Sequence, residues 1–127
     1  MPPLTGGQGF TLIELLVVLA IIALLLTIAV PRYYGSLDKS KEAVLKENLF
    51  QLRDAIGKYQ ADKGKYPESL ESLAADKYLR KVPLDPITES STSWVVVPPT
   101  DPLKSGVYDV KSGAPGKAID GSEFSTW

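Results

Sequence analysis

The run from Phe10 to Val30, FTLIELLVVLAIIALLLTIAV, is 21 residues of almost unbroken hydrocarbon. At 1.5 Å per residue a helix of that length measures about 31 Å, the thickness of a bilayer's hydrocarbon core. One charge interrupts it, Glu14, near its start. An ionised carboxylate in hydrocarbon costs on the order of 3 kcal/mol, so Glu14 requires a partner or a nearby polar boundary. A cleaved secretory signal is a poor match. Such signals begin basic, carry an apolar run of about 7–15 residues, and end in a small-residue cleavage site after that run. Here the run is longer, no such site follows it, and the nine residues ahead of Phe10 carry no charge.

Pro31 ends the apolar run but need not end a helix, since an interior proline removes one hydrogen bond and bends the axis. Beyond it, Leu45, Leu49, Leu52, Ile56 and Tyr59 recur at steps of 4, 3, 4 and 3, with Leu37 eight residues earlier. Lys41, Lys46, Glu47, Asp54, Lys58 and Asp62 lie off that stripe. The spacing predicts one apolar face on a solvated helix. Gly64 stands where a left-handed residue would cap it. The expected helix therefore runs from about Phe10 to Lys63, apolar all round in its first half and on one side only in its second.

After the cap, YPESLESLAADKYL places Pro67 at the expected start of a second helix, with Leu70, Leu73 and Ala74 at helical spacing. Val82 to Ser93 is a loop, rich in Pro, Ser and Thr. Trp94 to Val97 and Gly106 to Ser112 read as two strands. The tail from Gly113 is Gly-rich and closes on Phe124 and Trp127, aromatics expected to pack on the sheet. The fold class is α+β, a long N-terminal helix packed on a small antiparallel sheet. Its divisions are a leader of residues 1–9, a membrane helix of residues 10–31 and a globular part of residues 32–127.

Composition narrows the function. The 127 residues hold 14 basic and 15 acidic side chains, no His and no Cys. A net charge of −1 speaks against binding nucleic acid through phosphate contacts, and no nucleic-acid partner is expected. Disulfides, Cys/His nucleophile pairs and nearly all zinc and haem ligation are excluded. The GAPGK run at Gly113–Lys117 lacks the first Gly and the final Ser or Thr of a phosphate loop. Carboxylates are scattered, with no pair in an apolar setting, so acid/base catalysis has no seat and an enzyme is not expected. Tyr33, Tyr34, Tyr59 and Tyr66 read as packing residues of the core or of subunit contacts.

Gly9, then Phe10, then Thr11-Leu12-Ile13-Glu14-Leu15-Leu16, resembles the type IV prepilin signature, roughly G-F-T-L-x-E. The resemblance implies that a prepilin peptidase cleaves after Gly9 and N-methylates the new amine of Phe10. Because that cut precedes the apolar segment, the segment stays on the mature protein. The physical reading of Glu14 agrees. Cleavage creates a cationic amine on Phe10, and a neighbouring subunit stepped along the helix axis brings that amine beside Glu14. A charge pair in low dielectric is strong, and costly when incomplete, which suits a register pin between identical subunits. The alternative is a carboxylate snorkelling to the near interface. Pro31 matches a proline common in such helices.

Tyr66-Pro67, the Leu70/Leu73 helix, PLDP at Pro83–Pro86, YDVKS at Tyr108–Ser112 and Trp127 narrow the resemblance to the major pseudopilins of type II secretion. This implies a homopolymeric filament subunit. Its implied partners are other copies of itself, minor pseudopilins, prepilin peptidase, an assembly platform membrane protein with its ATPase, and inner-membrane lipid. Arg32, Lys39 and Lys41 follow the span, and on the positive-inside rule they would be cytoplasmic. The resemblance implies the reverse, with the globular part in the periplasm, and that is the orientation expected. The resemblance also implies a calcium site at the tail, onto which Ser112, Asp120 and Glu123 map. Lys117 and Gly116 stand where a further Asp is usual, so the expectation is no cofactor, with calcium as the alternative. Two other readings remain at this point: a type IV pilin of an extracellular pilus, and a monomeric membrane-anchored binding module.

Overall fold

The computed structural model describes residues 9–127, which divide into two compact units between Leu37 and Asp38. One helix, α1, runs Leu12–Lys63 and contributes to both. The helix passes through Pro31 without ending. In the first unit the segment is apolar on every side and every residue from Gly9 to Leu37 is exposed. Such a surface in an isolated chain is one made for lipid or for copies of itself. The segment is long and apolar enough to cross a membrane.

In the second unit, α1 buries Leu45, Leu49, Leu52, Ala55, Ile56 and Tyr59. Five of these are the expected stripe, and Ala55 joins them from its edge. Leu37 does not; it is 37% exposed and falls in the first unit. Burying a leucine is worth about 1.5–3 kcal/mol, so this stripe is the principal apolar surface on which the rest collects. Lys63 is the last helical residue, and Gly64 follows at φ +70°, donating its N–H to the Gln60 carbonyl. That is the expected left-handed cap.

The second helix, α2, is Leu70–Ala75, three residues later than Pro67 would have started it. Ser69 is the N-cap, its hydroxyl accepting from the Ser72 N–H at 3.3 Å. A serine that satisfies an orphan helix donor outweighs the preference of proline for a first turn. Pro67 instead is buried, and its carbonyl accepts the Val107 N–H at 2.8 Å. Leu70 and Leu73 face the core as expected.

Strands β1 (Val95–Val97) and β2 (Asp109–Lys111) form the antiparallel sheet, with Val96 opposite Val110. Each is shorter than its sequence run. Trp94 stays outside β1, buried, with its indole N–H donating to the Pro83 carbonyl at 2.8 Å. Val95 and Val96 are exposed, and Pro98-Pro99 closes the strand. Val110 is fully buried against the helix stripe, together with Val107, Ala114, Ala118 and Phe124. Residues Phe124–Thr126 make a final 3₁₀ turn, and Phe124 and Trp127 meet edge to face at 5.2 Å.

Two glycines give opposite expectations. Gly106 has φ +105°, and a Cβ there would lie 2.6 Å from the Pro67 carbonyl oxygen. Gly106→Ala should therefore destabilise the globular unit by at least about 1–3 kcal/mol. Gly57 lies inside α1 with nothing within 4 Å of an added Cβ. Gly57→Ala should stabilise by about 0.5–1 kcal/mol through helix propensity. Thermal unfolding of the two variants in the same detergent checks both signs.

Candidate functional site

The N-terminal end of α1 is built by two side chains that serve each other. Thr11 precedes the first helical residue, and its hydroxyl oxygen accepts the Glu14 N–H at 3.1 Å. The Glu14 carboxylate reaches back and accepts the Thr11 N–H at 3.2 Å. This reciprocal pair is a capping box, which satisfies two helix donors left without backbone partners. The carboxylate also sits where the helix dipole favours negative charge. Backbone donors at membrane depth find no water, so the contact matters more there than at a soluble helix end. The T-x-x-E spacing ahead of an apolar run carries this signal, and the sequence reading missed it by weighing Glu14 only as a lipid-embedded charge.

Gly9 and Phe10 lie outside the helix, and Phe10 is 80% exposed. The bond between them thus lies on exposed, non-helical chain directly before the cap. Farther along, Thr27 returns its hydroxyl to the Leu24 carbonyl at 2.6 Å, as expected of a hydroxyl in hydrocarbon. Tyr33 and Tyr34 are exposed and touch each other edge to face. Tyr59 and Tyr66 belong to the globular unit, against Tyr78 and Tyr108 respectively.

At the other end of the chain, Ser112 is 1% exposed and its hydroxyl donates to the Asp85 carboxylate at 2.5 Å. Asp120 is exposed and accepts the Ser122 hydroxyl at 2.6 Å and the Ser122 N–H at 2.9 Å. Those two bonds, with the Lys46 charge nearby, hold the Asp120 carboxyl below the usual carboxylate range. Glu123 is exposed, and its backbone pairs with Lys117 in an isolated bridge. The three residues thus make separate contacts. Among the described residues no group of three or more His, Cys, Asp or Glu side chains is placed to share a cation.

Arg53, an exposed residue of α1, ties the helix to β2 and to the tail. Its guanidinium donates to Asp109 Oδ1 at 2.9 Å, to the Val110 carbonyl at 2.9 Å and to the Trp127 carbonyl at 2.7 Å. A planar fork of five donors suits that position in a way a lysine would not. Asp85, read as part of a loop motif, is the most buried charged residue of the core.

A long apolar helix, capped by its own carboxylate and continued as the spine of a small α+β unit, defines a pilin-like subunit. Comparisons with known proteins are more specific. The family described as "Prokaryotic N-terminal methylation motif" matches residues 6–30. The type II secretion system core protein G of Escherichia coli (strain K12) is 28% identical, over 94% of this chain and 90% of the relative. Core protein G of Pseudomonas aeruginosa is 32% identical over 62% of this chain and 67% of its own length. That of Klebsiella michiganensis is 30% identical over the same shares, 62% and 67%. No solved structure matches. The chain belongs to the type II secretion system core protein G family.

The depressed Asp120 pKa fixes the sign of an acid effect. Ionised Asp120 favours the folded state above its unfolded value, near 3.8, and that contribution disappears as pH falls through the lower folded value. Asp120→Asn should therefore lower the melting temperature at neutral pH and converge on the parent chain in strong acid. Thermal unfolding followed from neutral pH to below about pH 3 tests this.

Proposed function

We propose that this chain is the structural subunit of a type II secretion pseudopilus, polymerising through α1, with Glu14 and the Phe10 amine as the pairing groups. It is a structural subunit and not an enzyme, like the core protein G relatives it matches. The three relatives described above each bear a secretion-system name, so the reading as an extracellular pilus subunit is not favoured.

The observation that carries the mechanism is the capped carboxylate beside an accessible Gly9–Phe10 bond. Hydrolysis of that bond leaves a carboxylate on Gly9 and an amine on Phe10, and methylation of that amine keeps it cationic. A carboxylate has about four acceptor positions, and the capping box uses one of them. Glu14 can thus accept the ammonium of a neighbour's Phe10 while still capping its own helix. The two roles are compatible, and the helix end is already ordered before assembly. Excluding water from between packed helices then strengthens the pair.

This reading places the first half of α1 in the inner membrane and the globular unit in the periplasm. The proposed partners are prepilin peptidase, minor pseudopilins, a platform membrane protein with its ATPase, and further copies of the chain. The filament would extend across the periplasm and act on exported proteins.

Glu14→Ala should leave the chain in the membrane and cleaved after Gly9, yet abolish filaments and secretion. Electron microscopy of sheared or overexpressing cells, with mass spectrometry of the N-terminus, reads both properties. Normal filaments from the variant would contradict the pairing. A wild-type chain that remains monomeric and functional would point to the membrane-anchored binding module instead.

A further inference from the structure

The stretch Ser112–Trp127 closes the globular unit, and two side chains, one buried and one exposed, hold it. The first is Asp85, which is 0% exposed. One of its oxygens accepts the Ser112 hydroxyl at 2.5 Å; the other accepts the Ile87 N–H at 2.9 Å and the Thr88 N–H at 3.4 Å. The Ser112 oxygen in turn accepts the Ala114 N–H at 3.1 Å. One carboxylate thus ties the proline-rich loop to the chain directly after β2. Among the described residues no buried side-chain nitrogen or oxygen lacks a partner, and both oxygens of Asp85 are met by hydrogen-bond donors.

The second is Lys46, on the solvated side of α1. Its ammonium lies 4.8 Å from the centre of the Trp127 ring, and its charge also acts on Asp120. Lys46, Arg53, Asp120 and Trp127 line one groove together with Leu49 and Phe50. A cation over an indole face is held by the ring quadrupole, and Trp is the strongest such ring.

A calcium ion is what the resemblance implies for this stretch, and the donors do not fit one. Calcium takes about six to eight oxygens, several from carboxylates. The Ser112 hydroxyl is engaged by Asp85, one Asp120 oxygen takes two donors from Ser122, and no acidic trio is assembled among the described residues. Lys46 and Arg53 already bring positive charge to the groove that Asp120 lines.

We infer that the C-terminal segment of this protein is closed without a metal ion: the Lys46 ammonium supplies the positive charge beside Asp120 and Trp127, and the Asp85 carboxylate anchors the start of the segment through Ser112. The cation is carried by the helix itself. Closure is then independent of the divalent-ion content of the medium.

The test uses the full chain in detergent micelles, with thermal unfolding and limited proteolysis in excess EDTA and in millimolar calcium chloride. The expected melting temperature is the same in both. Lys46→Met keeps the apolar stem against Trp127 and removes the charge, and should lower the melting temperature by about 2–6 °C with faster cleavage after Ser112, again in both media. Ser112→Ala should do the same at the other end of the segment, and keeps the test open if an Asp85 variant does not fold. A melting temperature that rises in calcium for the wild-type chain would overturn the inference. So would a Lys46→Met chain with unchanged melting and unchanged proteolysis.

Discussion

The globular unit depends on one constraint: a sheet of two three-residue strands cannot hold a core, so the core must be organised by the helix. Leu45, Leu49, Leu52, Ile56 and Tyr59 provide the surface, and every later element except β1 contributes one or two side chains to it. Leu70 and Leu73 come from α2, Val110 from β2, Phe124 from the closing turn. Trp94 and Val107 arrive from loop positions beside the strands. Polar groups then fix what the apolar ones gather. Asn48 donates to the Leu84 carbonyl, Arg53 to the tail, and Glu42 accepts the Ile119 N–H. All three acts are performed by side chains of α1 beside the buried stripe.

The same helix changes its solvent along its length. Where it belongs to the first unit it has no polar face, and the one carboxylate it carries is drawn into its own cap. Where it belongs to the second unit it buries one stripe and shows charge on the rest. A single regular element is therefore apolar and long enough to cross a membrane in one half and the spine of a folded unit in the other. The pilin-like organisation follows from sequence patterning on one helix, with little demand on the remaining chain.

Much of this was legible in the sequence, and the parts that were not share a cause. Period and hydropathy gave the extent of α1, its stripe, its glycine cap and the two strands, because these are averages over many residues. Pro67 was placed at a helix start by a positional preference, and a serine two residues on displaced it with a hydrogen bond. Leu37 fits the periodic stripe, yet the core does not extend to it. Asp85 and Lys46 look like ordinary loop and surface residues. Their roles depend on partners 27 and 81 residues away, Ser112 and Trp127. No local pattern encodes such distances. The capping box is different: its spacing was on the page, and it was masked by the stronger question of why a charge sits in hydrocarbon.

The two exposed valines of β1 carry a consequence of their own. A strand whose outer side is unpaired offers its free N–H and C=O groups to any extended chain that approaches, the usual route to sheet-on-sheet aggregation. Here β1 is three residues long, and Pro98-Pro99 follows at once, two residues that cannot donate to a ladder. A template so short and so terminated cannot grow by strand addition. Association through this sheet edge is thereby disfavoured, and the barrier is nothing more than two proline nitrogens with no hydrogen to give.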